Sequence, residues 1–406
     1  MRPPEWMLNP LRGESLIRAV DAAILRRRPA PGGGRHILLA PPGAGNIGDQ
    51  ALVEAFVEAV DGPVTVLTRS RRDIDVAAHL TDRMTVLPVP ALVYGTALGH
   101  ARDARTVDRA LDGAASFSVL GADIMDGAYV PRASVNRAAL AERLADRGWS
   151  SRVVGFSWND RPDARALAAL RRADAAGVRL YVRDPRSAAR ARADGLTALD
   201  SADIVFASQT ADPGAVDRLG IDAVSGPFAI VNASGLVGDR TEAYVRTIRR
   251  LRDADLGVVV VPHVSRHGAD DLPPCRALAE RFAEDPGVGM VTGLLSPREI
   301  RGLAARAVVT VTGRMHLAVM SLMAGVPAIT VATQGKVEGL MDLFGLPELC
   351  VSPSDGFAQR MGDVVATTLA SAPRYASTIR EALPRVRELA LANVEGIAAV
   401  ARERVS

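Results

Sequence analysis

The feature that most constrains the fold is a regular alternation of short apolar, β-branched runs with stretches of helical periodicity. Each run is long enough for one buried strand, and a segment with apolar residues at helical spacing follows it. The alternation continues through both halves of the chain, which indicates parallel sheets covered by helices in each half. The predicted strands are 36–40, 64–68, 85–87, 115–120, 152–157, 178–182, 227–232, 257–262, 288–291, 307–311 and 328–331.

The chain has 406 residues, which is too long for one ordinary core and favours two domains. Residues 206–226 are rich in Ala, Asp, Gly and Pro and lack a sustained pattern, so we place the domain boundary there. The predicted organisation is an N-terminal helix and linker at 1–34, a first α/β domain at 35–210, and a second α/β domain with terminal helices at 211–406.

The N-terminal segment has an amphipathic pattern. Leu16, Ile17, Val20 and Ile24 share one helical face, and three arginines follow at 26–28. We expect a short helix packed on the body, with a weak contact to a membrane surface or a partner as the alternative. No apolar run approaches the length of a membrane span, and the N-terminus lacks the apolar core of a signal peptide. We therefore expect a cytoplasmic protein, with the inner face of the membrane as the alternative, and leave a homo-oligomer open.

Composition argues against two classes of function. Aromatic residues make up only 4% of the chain and the formal net charge is +3, with basic residues spread throughout, so nucleic acid is not an expected partner. Cys275 and Cys350 are the only cysteines, and their separation matches no metal-ligand spacing. We therefore expect a reducing compartment and no structural zinc.

The segment from Thr312 to Lys336 carries the clearest functional signal. It follows an apolar run, and Gly313 marks the turn into a helix, so Arg314 and His316 lie where a strand's carboxyl end meets a helix's first turn. Open α/β sheets bind ligands at that edge, and a helix N-terminus favours anions. The pair can hold a carboxylate or phosphate and move a proton. Alternatively, both side chains simply begin a helix.

Lysine usage singles out one further residue. The chain has 49 basic residues, of which Lys336 is the only lysine. It follows the next predicted strand, again at a carboxyl edge. Lysine presents a compact charge that can lose its proton, whereas arginine cannot. We take Lys336 as a candidate site residue, with a chance surface lysine as the alternative.

The first strand leads into a glycine-rich loop. Gly43, Gly45 and Gly48 match the spacing of a dinucleotide-binding loop between a strand and a helix. The next strand ends in arginines and offers no carboxylate for a ribose, which disfavours NAD and leaves NADP open. Asn46 and Asp49 add polar groups that could face a ligand. Alternatively, either one caps the helix.

Other polar side chains follow strands at the same predicted edge. Asp123 and Asp126 could bind sugar hydroxyls or act as a base, or else form turns and caps. Arg183 follows another strand, and there Asp184 is a predicted helix cap. His263 ends a strongly β-branched strand, with His267 four residues on. Pro262 and Gly268 indicate a loop there, which disfavours a metal site.

Several of these segments occur together in an order that resembles the polysaccharide pyruvyl transferase family. The resemblance spans roughly residues 36–350, and relatives often show three consecutive glycines where this chain has Leu120-Gly-Ala-Asp123. The segments that carry it are Gly45–Asp49, Gly121–Asp126, Arg183–Ser187, Val261–His263, Gly313–His316 and Gly325–Lys336.

The resemblance implies a fold and a reaction. It implies two Rossmann-like domains with parallel sheets that face each other across a cleft, as in GT-B glycosyltransferases. It also implies transfer of the enolpyruvyl unit of phosphoenolpyruvate onto two hydroxyls of a glycan or glycolipid, giving a pyruvate ketal and phosphate. No metal or organic cofactor is implied.

The same resemblance, combined with the residues above, implies roles for the site. Arg314 would bind the donor's carboxylate or phosphate, and His316 would transfer the proton. Lys336 and Arg183 would be supporting cations, and His263 a second proton-handling group. The opposite wall would be lined by Gly45, Asn46, Asp49, Asp123 and Asp126.

Three other functions stay open at this point. One is a glycosyltransferase of the same architecture that uses a nucleotide sugar. Another is an NADP-dependent oxidoreductase, supported by the first glycine loop and by the arginines at 69–72. The third is a non-catalytic scaffold or ligand-binding protein that kept the fold.

Overall fold

A computed structural model gives the fold. It describes residues 13–26, 28–29, 34–234, 240–266, 268–332 and 335–397. His267 lies outside the described residues.

The chain divides into two compact units. The first unit comprises Met1–Pro42, Leu52–Ser208 and Leu389–Ser406, and the second comprises Gly43–Ala51 and Gln209–Glu388. The division near residue 208 lies close to the boundary predicted at 210. Two segments group differently from the predicted domains: the glycine loop belongs to the second unit, and the chain from Leu389 onward belongs to the first.

The first unit is built on a parallel sheet with the strand order β3-β2-β1-β4-β5-β6-β7. Its central strands are buried on both faces, which accounts for their continuous apolar sequence. The strand order reverses between β1 and β4. The strands are Arg35–Leu39 (β1), Val64–Thr68 (β2), Met84–Pro88 (β3), Ala114–Ala122 (β4), Ser150–Phe156 (β5), Arg179–Val182 (β6) and Ala198–Asp200 (β7).

The second unit is built on another parallel sheet, with the order β10-β9-β8-β11-β12-β13. The strand order reverses between β8 and β11. The strands are Phe228–Asn232 (β8), Gly257–Val260 (β9), Val288–Met290 (β10), Val309–Thr312 (β11), Ala328–Val331 (β12) and Cys350–Val351 (β13). Every strand predicted from the sequence is present, and the short strands β7 and β13 are additional.

Helices connect the strands in both units. Local sequence fixes several of their starts: Asp184 accepts a hydrogen bond from the Ser187 amide, as predicted, and Ser296 with Glu299 forms a capping box. The helices are Glu14–Ile24 (α1), Ile47–Ala59 (α2), Ala97–Ala110 (α3), Pro131–Asp146 (α4), Ala164–Ala175 (α5), Pro185–Ala193 (α6), Ala215–Arg218 (α7), Thr241–Arg252 (α8), Leu272–Glu280 (α9), Pro297–Ala304 (α10), Met315–Met323 (α11), Lys336–Phe344 (α12), Phe357–Ala370 (α13) and Ala372–Ala392 (α14).

Helix α1 packs on the first unit through polar contacts as well as its apolar face. Asp21 and His100 form a buried pair, with 2.6 Å between Oδ1 and Nε2, and Arg18 donates to Glu142. Ile17 is buried on the same helix. Within the part of the chain that the structure describes, no helix combines the length and the apolar character needed to cross a membrane.

Candidate functional site

The site of the second unit lies where its strand order reverses, at the carboxyl ends of β8 and β11. Asn232 and Thr312 are register partners at these strand ends, and the Thr312 hydroxyl donates to Asn232 Oδ1 at 3.1 Å. The amide of Asn232 donates to the Val261 carbonyl and to Asp271. In open α/β sheets ligands bind at this position, so the polar groups gathered here form the candidate site.

Arg314 is held at this edge by a buried ion pair with Asp271. Arg314 Nη2 lies 2.6 Å from Asp271 Oδ1, Nε lies 3.0 Å from Oδ2, and Nη2 also donates to the Ala269 carbonyl. Asp271 is fully buried and Arg314 is 7% exposed. None of these bonds uses Nη1, so the guanidinium is fixed in place and retains donor capacity.

Asp271 is the residue that organises this edge, and sequence reasoning missed it. Besides Arg314 and Asn232, its carboxylate accepts from the backbone amides of His263 and Val264, both at 3.1 Å. The available signal was its place directly before the Leu272-Pro-Pro start of α9. That position indicates a helix start and carries no information about a partner 43 residues away.

His263 follows β9 and lies inside the same cluster. Its side chain is almost fully buried, and neither ring nitrogen has a hydrogen-bond partner among the described residues. Burial lowers the pKa of His263 well below its ordinary value of 6.5, and electrostatic interactions with His316 and Arg314 lower it further. His263 is therefore neutral at physiological pH.

His316 is the second residue of α11 and is half-buried. Gly48, from the glycine loop that groups with the second unit, packs directly on its ring. A Cβ placed on Gly48 would lie 2.3 Å from His316 Nδ1. The absence of a side chain at residue 48 therefore makes room for the imidazole of His316.

The rest of the glycine loop is fixed by backbone contacts to the residues after β9. Gly45 has φ +69°, and a Cβ there would lie 2.0 Å from the Ser265 carbonyl oxygen. Ser265 N donates to the Gly45 carbonyl at 2.7 Å, and Ile47 N donates to the His263 carbonyl. Close packing and a left-handed turn explain Gly45 and Gly48, so their spacing does not by itself indicate a dinucleotide.

Asn46 and Asp49 have roles of the kind expected for a helix start. Asn46 Oδ1 accepts from the Gly48 amide at 3.0 Å, which is the pattern of a helix N-cap. Asp49 lies in the first turn of α2, and its carboxylate is 3.6 Å from Arg266 Nη1. Asn46 lies in the loop, and Asp49 in the first turn of the helix, that contact His263 and His316.

Lys336 is the first residue of α12 and follows β12 at the same sheet edge. The preceding Gly335 has φ +79°, a left-handed conformation that glycine adopts without strain, and it sets the direction in which α12 begins. Lys336 is half-buried. The second unit therefore contains Gly45, Asn46, Asp49, His263, Arg314, His316 and Lys336.

Arg183 lies in the first unit, where it forms a buried ion pair. It is 2% exposed, its Nη1 lies 2.9 Å from Asp203 Oδ2, and its Nε donates to the Ser157 hydroxyl. This buried ion pair holds Arg183 in place just before α6, and its role as a supporting cation for a substrate stays a prediction.

Asp123 and Asp126 also lie in the first unit, after β4. Asp126 is buried, accepts from the Ala128 amide and from Asn159, and has a pKa raised chiefly by burial. Asp123 accepts from the Tyr129 hydroxyl at 3.1 Å. Ala122, the last residue of β4, has φ +44°, a region that favours glycine.

No cluster of three or more His, Cys, Asp or Glu side chains placed to hold a metal occurs in the ranges that the structure describes.

Solved structures with similar folds include enzymes of sugar metabolism. Sucrose-phosphate synthase from Thermosynechococcus elongatus is 16% identical, with 90% of this chain and 96% of that chain covered and a TM-score of 0.56. HepE from Anabaena, in complex with UDP, is 12% identical, with 90% and 98% covered and a TM-score of 0.55. UDP-GlcNAc 2-epimerase from Methanocaldococcus jannaschii is 12% identical, with 82% and 91% covered and a TM-score of 0.51.

These likenesses establish the fold alone, because the identities are low. The predicted fold class, two α/β domains built on parallel sheets, is confirmed. A comparison of the sequence with family models does bear on function, and the stretch that it matches contains Arg183, His263, Arg314 and His316. Residues 148–335 match the family model of polysaccharide pyruvyl transferase, which confirms the resemblance found in the motifs.

Proposed function

We propose that the protein transfers the enolpyruvyl group of phosphoenolpyruvate onto hydroxyls of a glycan or glycolipid and forms a pyruvate ketal. The observation that carries this proposal is the cluster at the reversal point of the second sheet. There His316 starts a helix beside a neutral His263 and an arginine fixed by Asp271. The cluster lies within the stretch that matches the pyruvyl transferase model.

The reaction needs a proton donor, and His316 fits that role better than His263. Protonation of the donor's methylene carbon makes the adjacent carbon electrophilic, so the acid must be charged near neutral pH. Burial and neighbouring positive charges keep His263 neutral, which makes it a poor acid. His316 is half-buried and lies in the first turn of α11.

Binding of the donor requires positive groups with fixed directions. Arg314 presents Nη1 from a guanidinium that Asp271 holds in place, so little side-chain freedom is lost on binding. The N-terminus of α11 adds backbone amides that favour an anion. Lys336 adds a compact charge at the next strand end. Carboxylate and phosphate on one small molecule match this set of donors.

The bonds formed and broken balance without a further reactant. The methylene carbon of phosphoenolpyruvate gains a proton. The neighbouring carbon, which bears the phosphate, forms a bond to one acceptor hydroxyl oxygen, and its bond to the phosphate oxygen breaks. A second acceptor hydroxyl then closes the ketal. Of the two hydroxyl protons released, one restores the acid that protonated the methylene carbon, and the other leaves with phosphate. Side chains supply the acid and the cations, so we propose that neither metal nor organic cofactor is needed. We also place the reaction in the cytoplasm, where phosphoenolpyruvate is made.

Incubation with phosphoenolpyruvate and a panel of glycans, with phosphate release as the readout, tests the proposal. His316→Ala should lower turnover by on the order of 10²–10⁴-fold while phosphoenolpyruvate still binds in a calorimetric titration. His79→Ala is the matched control, because His79 pairs with Glu58 in the first unit, and it should retain full turnover.

The same assay distinguishes the other functions. Turnover of UDP-glucose without turnover of phosphoenolpyruvate would identify a glycosyltransferase instead. Oxidation of NADPH would identify an oxidoreductase. Binding of a glycan without turnover of any donor would indicate a scaffold or ligand-binding protein.

A further inference from the structure

Helix α1 is joined to the rest of the first unit by a buried pair of a histidine and a carboxylate. Asp21 lies on the buried face of α1, and His100 lies in the first turn of α3. Asp21 Oδ1 is 2.6 Å from His100 Nε2, and each side chain is 2% exposed. The other ring nitrogen, Nδ1, is 2.7 Å from the carbonyl oxygen of Leu92, in the loop after β3. The imidazole therefore bridges α1 and that loop.

The partners of the His100 ring determine how many protons the pair holds. A carbonyl oxygen only accepts, so Nδ1 must carry a proton. Nε2 faces a carboxylate oxygen of Asp21, which also accepts unless it is itself protonated. The pair therefore holds one proton more than a neutral histidine beside an ionised aspartate, whether that proton lies on the ring or on the carboxylate. Without that proton, two lone pairs would face each other in a buried site, which is unfavourable.

His36 shows what a buried histidine of the same unit does without a carboxylate partner. Its Nε2 is 2.8 Å from the backbone carbonyl of Asp61, and its Nδ1 is 2.8 Å from the Ser116 hydroxyl. A hydroxyl donates as well as accepts, so a neutral ring satisfies both partners. Burial lowers the pKa of His36 below 6.5. Burial acts in the same direction on His100, but the hydrogen bond to Asp21 and the charge of that carboxylate outweigh it, so the pKa of His100 is raised above 6.5.

Other charged groups around α1 keep their charge between pH 6 and 9, because they are arginines and carboxylates. On α3, Asp103 is buried next to Arg102 and accepts from the Ala91 amide, and its charge favours the protonated form of His100. Further polar contacts of α1 are those of Arg18 with Glu142, Arg172 with Glu14, Arg147 with the Ala22 carbonyl and the Arg26 amide with Asp108.

We propose that α1 is a strap whose docking on the first unit requires the proton shared by Asp21 and His100, and that it is released as the pH rises. In the released state His100 is open to water and has an ordinary pKa of about 6.5. The stabilisation of docking is fully present below that pH and is lost as the pH rises through the raised pKa of the docked ring. Between these two values the docking constant falls by up to about tenfold per pH unit. Release exposes the apolar face of α1 around Ile17. The inference does not rest on the proposed function.

Hydrogen exchange of the full chain between pH 6 and 9, followed by mass spectrometry, tests this proposal. The protection factor of residues 14–24, corrected for the intrinsic exchange rate at each pH, reports the docking of α1. In the parent chain it should fall by about threefold or more across this range. The protection factor of α6, in the same unit, is the internal reference and should stay constant.

Asp21→Asn distinguishes a proton requirement from a purely structural pair. An asparagine amide can donate to Nε2 of a neutral ring while Nδ1 still donates to the Leu92 carbonyl, so the extra proton is not needed. The protection of α1 should then be independent of pH, and His100→Gln, which cannot titrate, should give the same flat profile.

Arg18→Gln is the matched control on the same helix, because it removes the pair with Glu142 without changing a titrating group. It should lower the protection of α1 by a similar factor at every pH and keep the slope of the parent. A parent whose α1 protection does not change with pH, or an Asp21→Asn variant with the slope of the parent, overturns the proposal.

Discussion

The two sheets share one β/α plan, yet the groups at their carboxyl edges differ in kind. The second sheet presents His263 and His316 beside an arginine that Asp271 holds, and burial keeps His263 neutral. The described edge of the first sheet presents arginines and carboxylates, of which Arg137 faces a pocket. The two histidines of this comparison lie at the edge of the second sheet, and the pocket that Arg137 lines lies at the edge of the first.

Three buried arginines make the comparison concrete. Arg314 and Arg183 each have a buried carboxylate partner, Asp271 and Asp203, so the protein supplies both charges. Arg137 has only neutral partners. The pairing fixes the guanidinium groups of Arg314 and Arg183, whereas no carboxylate of the described chain compensates the charge of Arg137.

The largest expected effect is on stability and comes from breaking the two ion pairs. Asp271→Asn and Asp203→Asn should each lower the free energy of unfolding by about 3–5 kcal/mol, because each leaves a buried arginine charge uncompensated. Asp217→Asn, at the exposed pair with Arg306, should change it by less than about 1 kcal/mol. Urea denaturation measures all three.

Turnover separates the two buried pairs. Per folded molecule, Asp271→Asn should lower phosphate release because Arg314 loses its fixed position. Asp203→Asn should not, since the pair of Asp203 with Arg183 fixes the start of α6 and leaves the cluster of the second unit unchanged. Equal loss of turnover in both variants would support the predicted role of Arg183 as a supporting cation of the site.

A smaller effect is expected at the glycine that contacts His316. Gly48→Ala should cost about 1–3 kcal/mol of stability, because its Cβ would lie 2.3 Å from His316 Nδ1 and the ring must move. Turnover should fall by more than the loss of folded protein explains. Gly362→Ala in α13 is the control: a Cβ there meets nothing within 4 Å, so it should stabilise by about 0.5–1 kcal/mol and leave turnover unchanged. Full activity of Gly48→Ala would show that the position of His316 is not critical.

The smallest expected effect is a pH dependence of stability due to His263. The folded-state pKa of His263 is lowered well below 6.5, so the unfolded chain binds a proton that the folded chain does not. Below about pH 6.5 this residue should reduce the free energy of unfolding by up to about 1.4 kcal/mol per pH unit, with no contribution above that pH. Denaturation of the parent and of His263→Gln between pH 5 and 8 should give a shallower slope for the variant. Parallel slopes would mean that His263 is not held neutral.

Local sequence accounts for the alternation of strands and helices, and with it the edge at which polar residues gather. Apolar periodicity is a local property, and it placed Arg314, His316 and Lys336 at strand ends without any knowledge of their neighbours. The same local signals gave Asp184 as a helix cap. The functional roles of the site residues stay predictions.

Contacts between distant segments determine which of these polar groups are available to a substrate. Asp271 and Arg314 are 43 residues apart, and Gly48 reaches His316 from near the other end of the chain, so no local pattern records either contact. Arg183 and Arg137 each follow a strand of the first sheet in sequence. Asp203 neutralises Arg183, whereas Arg137 has neutral partners. Burial and pairing arise between segments distant in sequence, because folding brings them together through the sheet order rather than through neighbouring residues.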